Sequence, residues 1–393
     1  MKNDATIIGV VGLAHAMSHF FQLALAPLFP MIREELGISY STIGFVVMVF
    51  FAASAILQPG AGFLVDRIGG RGVLMGGVGL MALGAAIMSA AHGAGVLALG
   101  ALVMGVGNAV FHPADFSILN ARVSQPRLGY AFSAHGFAGS LGFAAAPVFS
   151  AALASAYGWR AALLACAAAG CLILIALLAS AHLLGGRPAE KKKQDMAQDA
   201  RVLLAPPVLL CFVFFLIWGG SYAGLANFSI TAMKLQFEVT ETFAASAITA
   251  YMLGNAGGML AGGYVATRFP RHDIVAGAGL SVTAFVVLLI AAGAVPAATL
   301  PLAFGFAGCA AGITYPSRDL IVRASTPPGA AGRVYGFVYS GLDLGAVMTP
   351  VFYGMLIDAG MPQGVFYVVF AFTAVAILTV LQVPGRRAAI QRT

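Results

Sequence analysis

The sequence predicts an all-α membrane protein with twelve transmembrane helices arranged as two pseudo-symmetric six-helix halves. Three observations predict it. The 393 residues are 60% hydrophobic and only 9% charged, with mean hydropathy +0.92, whereas a soluble domain is about a quarter charged. Apolar runs of about 20 residues, the length that crosses a hydrocarbon core, recur along the whole chain. The basic residues fall almost entirely on one side of the membrane those runs define.

The runs, bounded by charges or by Pro and Gly breaks, are 6–30, 41–65, 72–92, 95–120, 128–156 and 160–184, then 206–233, 241–266, 273–293, 296–321, 332–357 and 363–384. The first reads as a retained span and not a cleaved signal, because it carries His15, Ser18, His19 and Gln22 at its centre. With the N-terminus inside, only Arg33, Arg160 and Lys234 lie outside and Arg318 lies within a span; the rest of the 21 basic residues are cytoplasmic. Both termini are then cytoplasmic, as in a multi-pass protein of a bacterial-type inner membrane. The formal net charge of +7 is a topology signature, and no soluble basic domain exists to bind nucleic acid.

The one long charged stretch divides the chain. Residues 185–205, Gly-Gly-Arg-Pro-Ala-Glu-Lys-Lys-Lys-Gln and onward, read as a cytoplasmic linker between an N-terminal half (1–184) and a C-terminal half (206–393). The halves match at a constant offset of 203: His112-Pro113 with Tyr315-Pro316, Phe132 with Tyr335, Gly142 with Gly345, and Pro147-Val148-Phe149 with Pro350-Val351-Phe352. Gly62 and Arg67 match Gly263 and Arg268 at 201. Repeated halves suit an alternating-access carrier with its site near the bilayer midplane.

The loop Gly62-Phe-Leu-Val-Asp66-Arg67-Ile-Gly-Gly-Arg71 resembles the cytoplasmic signature of the major facilitator superfamily, with a degraded copy at Gly263–His272 that lacks the acid. The stretches HFFQLALAPLFPMIREELGIS and GNAVFHPADFSILNARVS are similar to the fosmidomycin-resistance branch. That resemblance implies the twelve-helix fold, efflux of a small solute, and a gating role for Asp66, Arg67 and Arg71. Ala101 stands where the drug-antiporter motif of span four has a basic residue, and the span-five motif is only approximated by Gly136–Pro147.

Ionisable groups at membrane depth cost roughly 2.5–3.5 kcal/mol on insertion scales and are functional candidates for that reason. Arg318 and, 203 positions earlier, Asp115 are the sharpest: an anion-binding cation and a proton carrier, or a structural pair. Asn108, His112 and Asp115 recur at helical steps, and Pro113 frees backbone carbonyls beside them. Asp343 is the deepest acid of span eleven. The substrate candidates are His15, His19, Gln22, Asn108, His112, Tyr222, Asn255, Tyr315, Arg318 and Tyr339; the proton-coupling candidates are Asp115, His112 and Asp343. Interhelical hydrogen bonding is the alternative for each.

His15 and His19 share a helix face. The segment lacks the glutamate of a zinc-protease motif. Three readings stay open: a cavity wall for substrate or protons, interhelical hydrogen bonds, or a metal pathway. The four cysteines have no paired ligand spacing and read as small buried apolar residues. The glycines of spans three, five and eight, such as Gly76, Gly77, Gly257 and Gly258, read as sites of close helix approach.

No phosphate-binding loop, cofactor motif or positioned nucleophile is present, so the expectation is a carrier and not an enzyme, without a cofactor and working as a monomer. The expected cargo is a small anionic or zwitterionic organic solute, moved in exchange for protons with efflux favoured. The alternatives are a proton-coupled organic-acid importer and an exporter of a metal ion or chelate.

Overall fold

The computed structural model describes residues 2–124, 127–185, 202–326 and 331–382, with Asp66 and Tyr335 among those described by backbone alone. Most of the expected linker lies outside the described residues. Every element is helical: α1 Lys2–Ala24, α2 Phe29–Leu36, α3 Tyr40–Ile68, α4 Gly70–Ser89, α5 Ala94–Asn108, α6 Phe111–Arg122, α7 Leu128–Ala179 and α8 Ala181–Leu184. The second half continues with α9 Pro206–Phe237, α10 Glu241–Arg268, α11 His272–Ala291, α12 Leu300–Ala324, α13 Ala331–Met348, α14 Pro350–Asp358 and α15 Pro362–Gln382.

Among the described residues, ten segments are long and apolar enough to cross a membrane. One, 131–179, turns at Gly158 (φ 83°, ψ 162°) and so holds the material of two spans. Helix α10, with 28 residues, is long enough to span; its Gly, Asn and Thr content keeps it out of the ten. The arrangement is consistent with twelve spans. Large apolar side chains such as Ile56 and Leu302, each 75% exposed, cover the outside, as expected where lipid and not water is the neighbour.

Contacts divide the chain into two compact units, Met1–Lys191 and Lys192–Thr393. The first is held by α1 on α7, α3 on α5, α4 on α5 and α4 on α7. The second repeats that scheme with α9 on α13 and α15, α10 on α12, α11 on α12 and α11 on α15. Repetition extends to the caps. Ser39 accepts from the Thr42 N–H at 3.1 Å to start α3, and Thr240 accepts from the Phe243 N–H at 3.2 Å to start α10. Just before them, Gly37 (φ 62°) and Glu238 (φ 55°) end α2 and α9 in the left-handed region.

Three spans break where the sequence suggested continuous helices; span one does so at Leu25–Leu28, between α1 and α2. Span four turns at Ala109–Val110 between α5 and α6, because Pro113 offers no N–H to the Ala109 carbonyl. Span eleven breaks at Thr349, whose hydroxyl donates back to the Gly345 carbonyl at 3.0 Å, a bond that bends helices. Its counterpart Ala146 has no hydroxyl, and α7 runs through Pro147.

Some glycines do let helices meet. A Cβ on Gly142 would lie 1.9 Å from the Ala16 carbonyl oxygen, and one on Gly258 would lie 2.1 Å from that of Cys309. Gly76, Gly257 and Gly263 have nothing within 4 Å and are not packing sites. Cys166 and Cys211 are buried as expected, but Cys171 is exposed.

Candidate functional site

Each half carries its own buried polar cluster, and both are built on repeat-equivalent helices. In the first half, α1 supplies His15 and His19, α6 supplies His112 and Asp115, and α7 supplies His135. Gly139 lets α7 come close, since a Cβ there would meet the His19 ring at 2.7 Å and the His15 ring at 3.1 Å.

Asp115 is fully buried, and His135 is 4% exposed. Asp115 Oδ2 lies 3.0 Å from His135 Nε2 in a hydrogen bond and 3.1 Å from His15 Nδ1. The His15 contact is a close approach and not a hydrogen bond: His15 Nδ1 is buried without a hydrogen-bond partner, and so is Asp115 Oδ1. The His15 and His135 rings stack with centroids 3.5 Å apart. His15 Nε2 meets His19 Nε2 at 3.1 Å, and His19 rests on Phe143 at 4.2 Å. His112 is the exposed member, its ring 5.3 Å from that of His15. One carboxylate can balance one imidazolium in such a site, because buried charges persist only when paired.

The break before α6 separates Asn108 from His112 and Asp115, so the expected single stripe becomes two networks. Asn108 accepts from Gln22 Nε2 at 3.2 Å and donates to Ser54 Oγ at 2.8 Å, tying α1, α3 and α5 together.

In the second half the ionisable group is Arg318 on α12, 8% exposed. Its guanidinium carbon lies 4.5 Å from the Tyr315 ring, 4.7 Å from Phe215, 5.0 Å from Trp218 and 5.7 Å from Tyr339. Aromatic faces attract a desolvated cation. Asp319 completes the balance: its Oδ1 accepts from Arg318 Nε at 3.2 Å and from the Tyr339 hydroxyl at 2.8 Å.

Beyond the cage, Tyr222 packs near Trp218 with centroids 5.8 Å apart. Its hydroxyl donates to Met252 Sδ at 3.7 Å. Tyr222 and Trp218 also line a small cavity with Ser221, Tyr251, Thr283 and Thr373. Asn255 is buried on α10 with Nδ2 unpartnered. Asp343 is half-buried on α13 and joins neither cluster.

The two clusters fall at the same repeat positions. At an offset of 203, His15, His19, His112 and Asp115 correspond to Trp218, Tyr222, Tyr315 and Arg318. The first half thus holds proton-binding rings around an acid, and the second holds aromatic rings around a base.

Of the expected gating residues, the Asp66 side chain lies outside the described residues and Arg67 is exposed. Arg71 reaches the Ala181 carbonyl at 3.5 Å, and Arg122 reaches that of Leu183 at 2.9 Å. These cations meet the carbonyls of α8, where the helix dipole favours positive charge. Elsewhere in the first unit Arg160 pairs with Glu35 and Arg33 sits over Tyr40, and in the second Lys234 pairs with Glu241.

The sequence names Asp319 as a neutralising neighbour of Arg318 and His135 as one polar residue of span five, whose place depends on the rotation of α7; Ser54 and Phe215 carry no such signal.

The fold and these membrane-depth polar clusters define an internally repeated helical membrane protein of the kind used for solute transport. The chain belongs to the Major Facilitator Superfamily, whose model matches residues 11–237 and 210–392. It is 24% identical over 363 residues to the fosmidomycin resistance protein of Escherichia coli strain K12, covering 87% of this chain and 85% of that protein. It is 24% identical over 364 residues to the uncharacterized MFS-type transporter YfnC of Bacillus subtilis strain 168, covering 90% and 87%. Among solved structures, an inward-facing, unoccupied bacterial homolog of the human lysosomal transporter Spinster superimposes with TM-score 0.80 at 16% identity, covering 99% and 98%. The nucleoside transporter NupG does so with TM-score 0.78 at 14% identity, covering 98% and 99%.

Proposed function

We propose that this chain is a secondary transporter that moves a small anionic or zwitterionic organic solute in exchange for protons, with efflux the favoured direction. The carrying observation is that a caged guanidinium and a carboxylate–histidine cluster stand at equivalent positions of the two repeats. Arg318 is a fixed cation whose planar donors match a carboxylate or phosphonate. Its partner Asp319, with a side chain 44% exposed, is an internal anion that a solute can replace. Asp115 with His15, His112 and His135 is a group that can take up and release a proton within the bilayer. Tyr222, Asn255, Tyr315 and Tyr339 supply aromatic and amide surface for the rest of the solute. Asp343 is a second proton-carrying candidate.

In this reading Asp66, Arg67 and Arg71 form the cytoplasmic gate, as in the family signature they resemble. Both termini face the cytoplasm of a bacterial-type inner membrane, and one chain suffices for a pathway. The E. coli relative is named for fosmidomycin resistance, which makes that compound the first to try.

The test is ligand-induced thermal stabilisation of detergent-purified protein, because a ligand selective for the folded state raises apparent stability. The panel holds fosmidomycin, other phosphonates, small carboxylates, hydrophobic cations and nucleosides. The reading predicts that an anion raises the melting temperature of wild type but not of Arg318→Ala. Stabilisation by cations alone, or equal stabilisation of both proteins by the anion, contradicts it.

A further inference from the structure

We propose that His15, His112 and His135, completed by Asp115, form a binding site for a divalent transition-metal ion. One ring nitrogen from each of the three histidines lies within 4.8 Å of the others. Asp115 Oδ2 adds an anionic oxygen 3.0 Å from His135 Nε2 and 3.1 Å from His15 Nδ1. In a tetrahedral zinc site with bonds of 2.0–2.1 Å, neighbouring donors stand about 3.3 Å apart. Two of the six edges are therefore near their final length, the three edges between histidine nitrogens lie within 4.8 Å, and closing the site requires the stacked His15 and His135 rings to part and the exposed His112 ring to swing in.

The orphaned atoms point the same way. His15 Nδ1, which faces Asp115 Oδ2 at 3.1 Å, and Asp115 Oδ1, on the same carboxylate, are both buried without a hydrogen-bond partner. Unsatisfied buried acceptors are costly, and a cation between them satisfies both. His15 carries its own orienting partner: Nε2 is directed at His19 while Nδ1 faces the carboxylate, the arrangement that fixes the tautomer of a metal-bound imidazole. Three imidazoles and one carboxylate suit Zn²⁺, Co²⁺, Ni²⁺ or Cu²⁺ and do not suit Mg²⁺ or Ca²⁺, which prefer oxygen ligands. His112 provides the entry path, being the open member of the group.

This inference does not depend on the transport reading, since it concerns equilibrium binding within one half of the chain. The probe is Co²⁺, titrated into tag-free protein in detergent and followed by visible absorption and calorimetry. Wild type is expected to bind one equivalent with nitrogen-ligand absorption bands, and Zn²⁺ is expected to displace it. His135→Ala and His112→Ala are each expected to weaken binding at least tenfold, while His92→Ala, outside the cluster, leaves it unchanged. His112→Ala guards against misfolding, because its side chain is exposed and its melting temperature should match wild type. No Co²⁺ uptake by wild type, or undiminished uptake by a correctly folded His112→Ala variant, overturns the proposal.

Discussion

Asp115 and Arg318 occupy the same position in the two repeats, and each lies beside the residue that its own first helix places at the matching site. Asp115 has His15 at 3.1 Å, and Arg318 has the Trp218 ring at 5.0 Å. The repeat has conserved the geometry of one contact while exchanging an acid among imidazoles for a base among aromatic rings.

The cage makes Arg318 hard to replace. Lysine keeps the charge but loses the planar fork and its stacking on four rings. Arg318→Lys is expected to weaken solute binding at least tenfold, read as a loss of thermal stabilisation, while leaving Co²⁺ binding in the first half unchanged. Wild-type affinity in the lysine variant would show that charge alone is sufficient.

Glycine contacts give a paired stability test. Gly142→Ala places a methyl group into the Ala16 carbonyl and should destabilise by roughly 1–3 kcal/mol, the usual cost of overpacking. Gly257→Ala meets nothing within 4 Å and should be neutral or gain up to about 1 kcal/mol from helix propensity. Melting curves of the two variants in the same detergent decide this, and the reverse order would refute the α1–α7 packing.

Glu238 is the one described non-glycine residue at positive φ. A side chain in that region costs roughly 1–2 kcal/mol, and glycine already fills the matching position at Gly37. Glu238→Gly is expected to raise the melting temperature by a few degrees. A fall would mean that the Glu238 side chain contributes more than its backbone strain costs.

In the proposed function the Asp66–Arg67–Arg71 gate acts on motion and not on affinity. Asp66→Asn is expected to cut turnover at least tenfold in proteoliposomes while ligand-induced stabilisation persists. Wild-type turnover would remove Asp66 from the mechanism.

Most of the fold was legible because lipid leaves few choices: long apolar runs, basic loops and a repeat offset together specify the helices and the two halves. The break at Ala109–Val110 was less so, although Pro113 signalled a distortion nearby. Of the polar residues, the His15–His19 pair and the Asp115–Arg318 equivalence were visible, since spacing and repeat register are one-dimensional. His135 was visible only as one polar residue of span five, because its role depends on which way α7 is turned, a choice made by Gly139 and Gly142 packing on α1. The cage around Arg318 was partly visible: Tyr315 lies one helical turn before Arg318 on the same helix, whereas Tyr339 comes from α13 and Phe215 and Trp218 from a helix about 100 residues away in sequence.

The most direct measurement of the central claim is solute accumulation in proteoliposomes under an imposed pH gradient, using the anion found by thermal stabilisation. Wild type should concentrate the solute and lose the gain when a protonophore collapses the gradient. Asp115→Asn should still exchange labelled for unlabelled solute but fail to concentrate it. Accumulation by Asp115→Asn at the wild-type level, or indifference of wild type to the gradient, would contradict a proton-coupled carrier centred on Asp115.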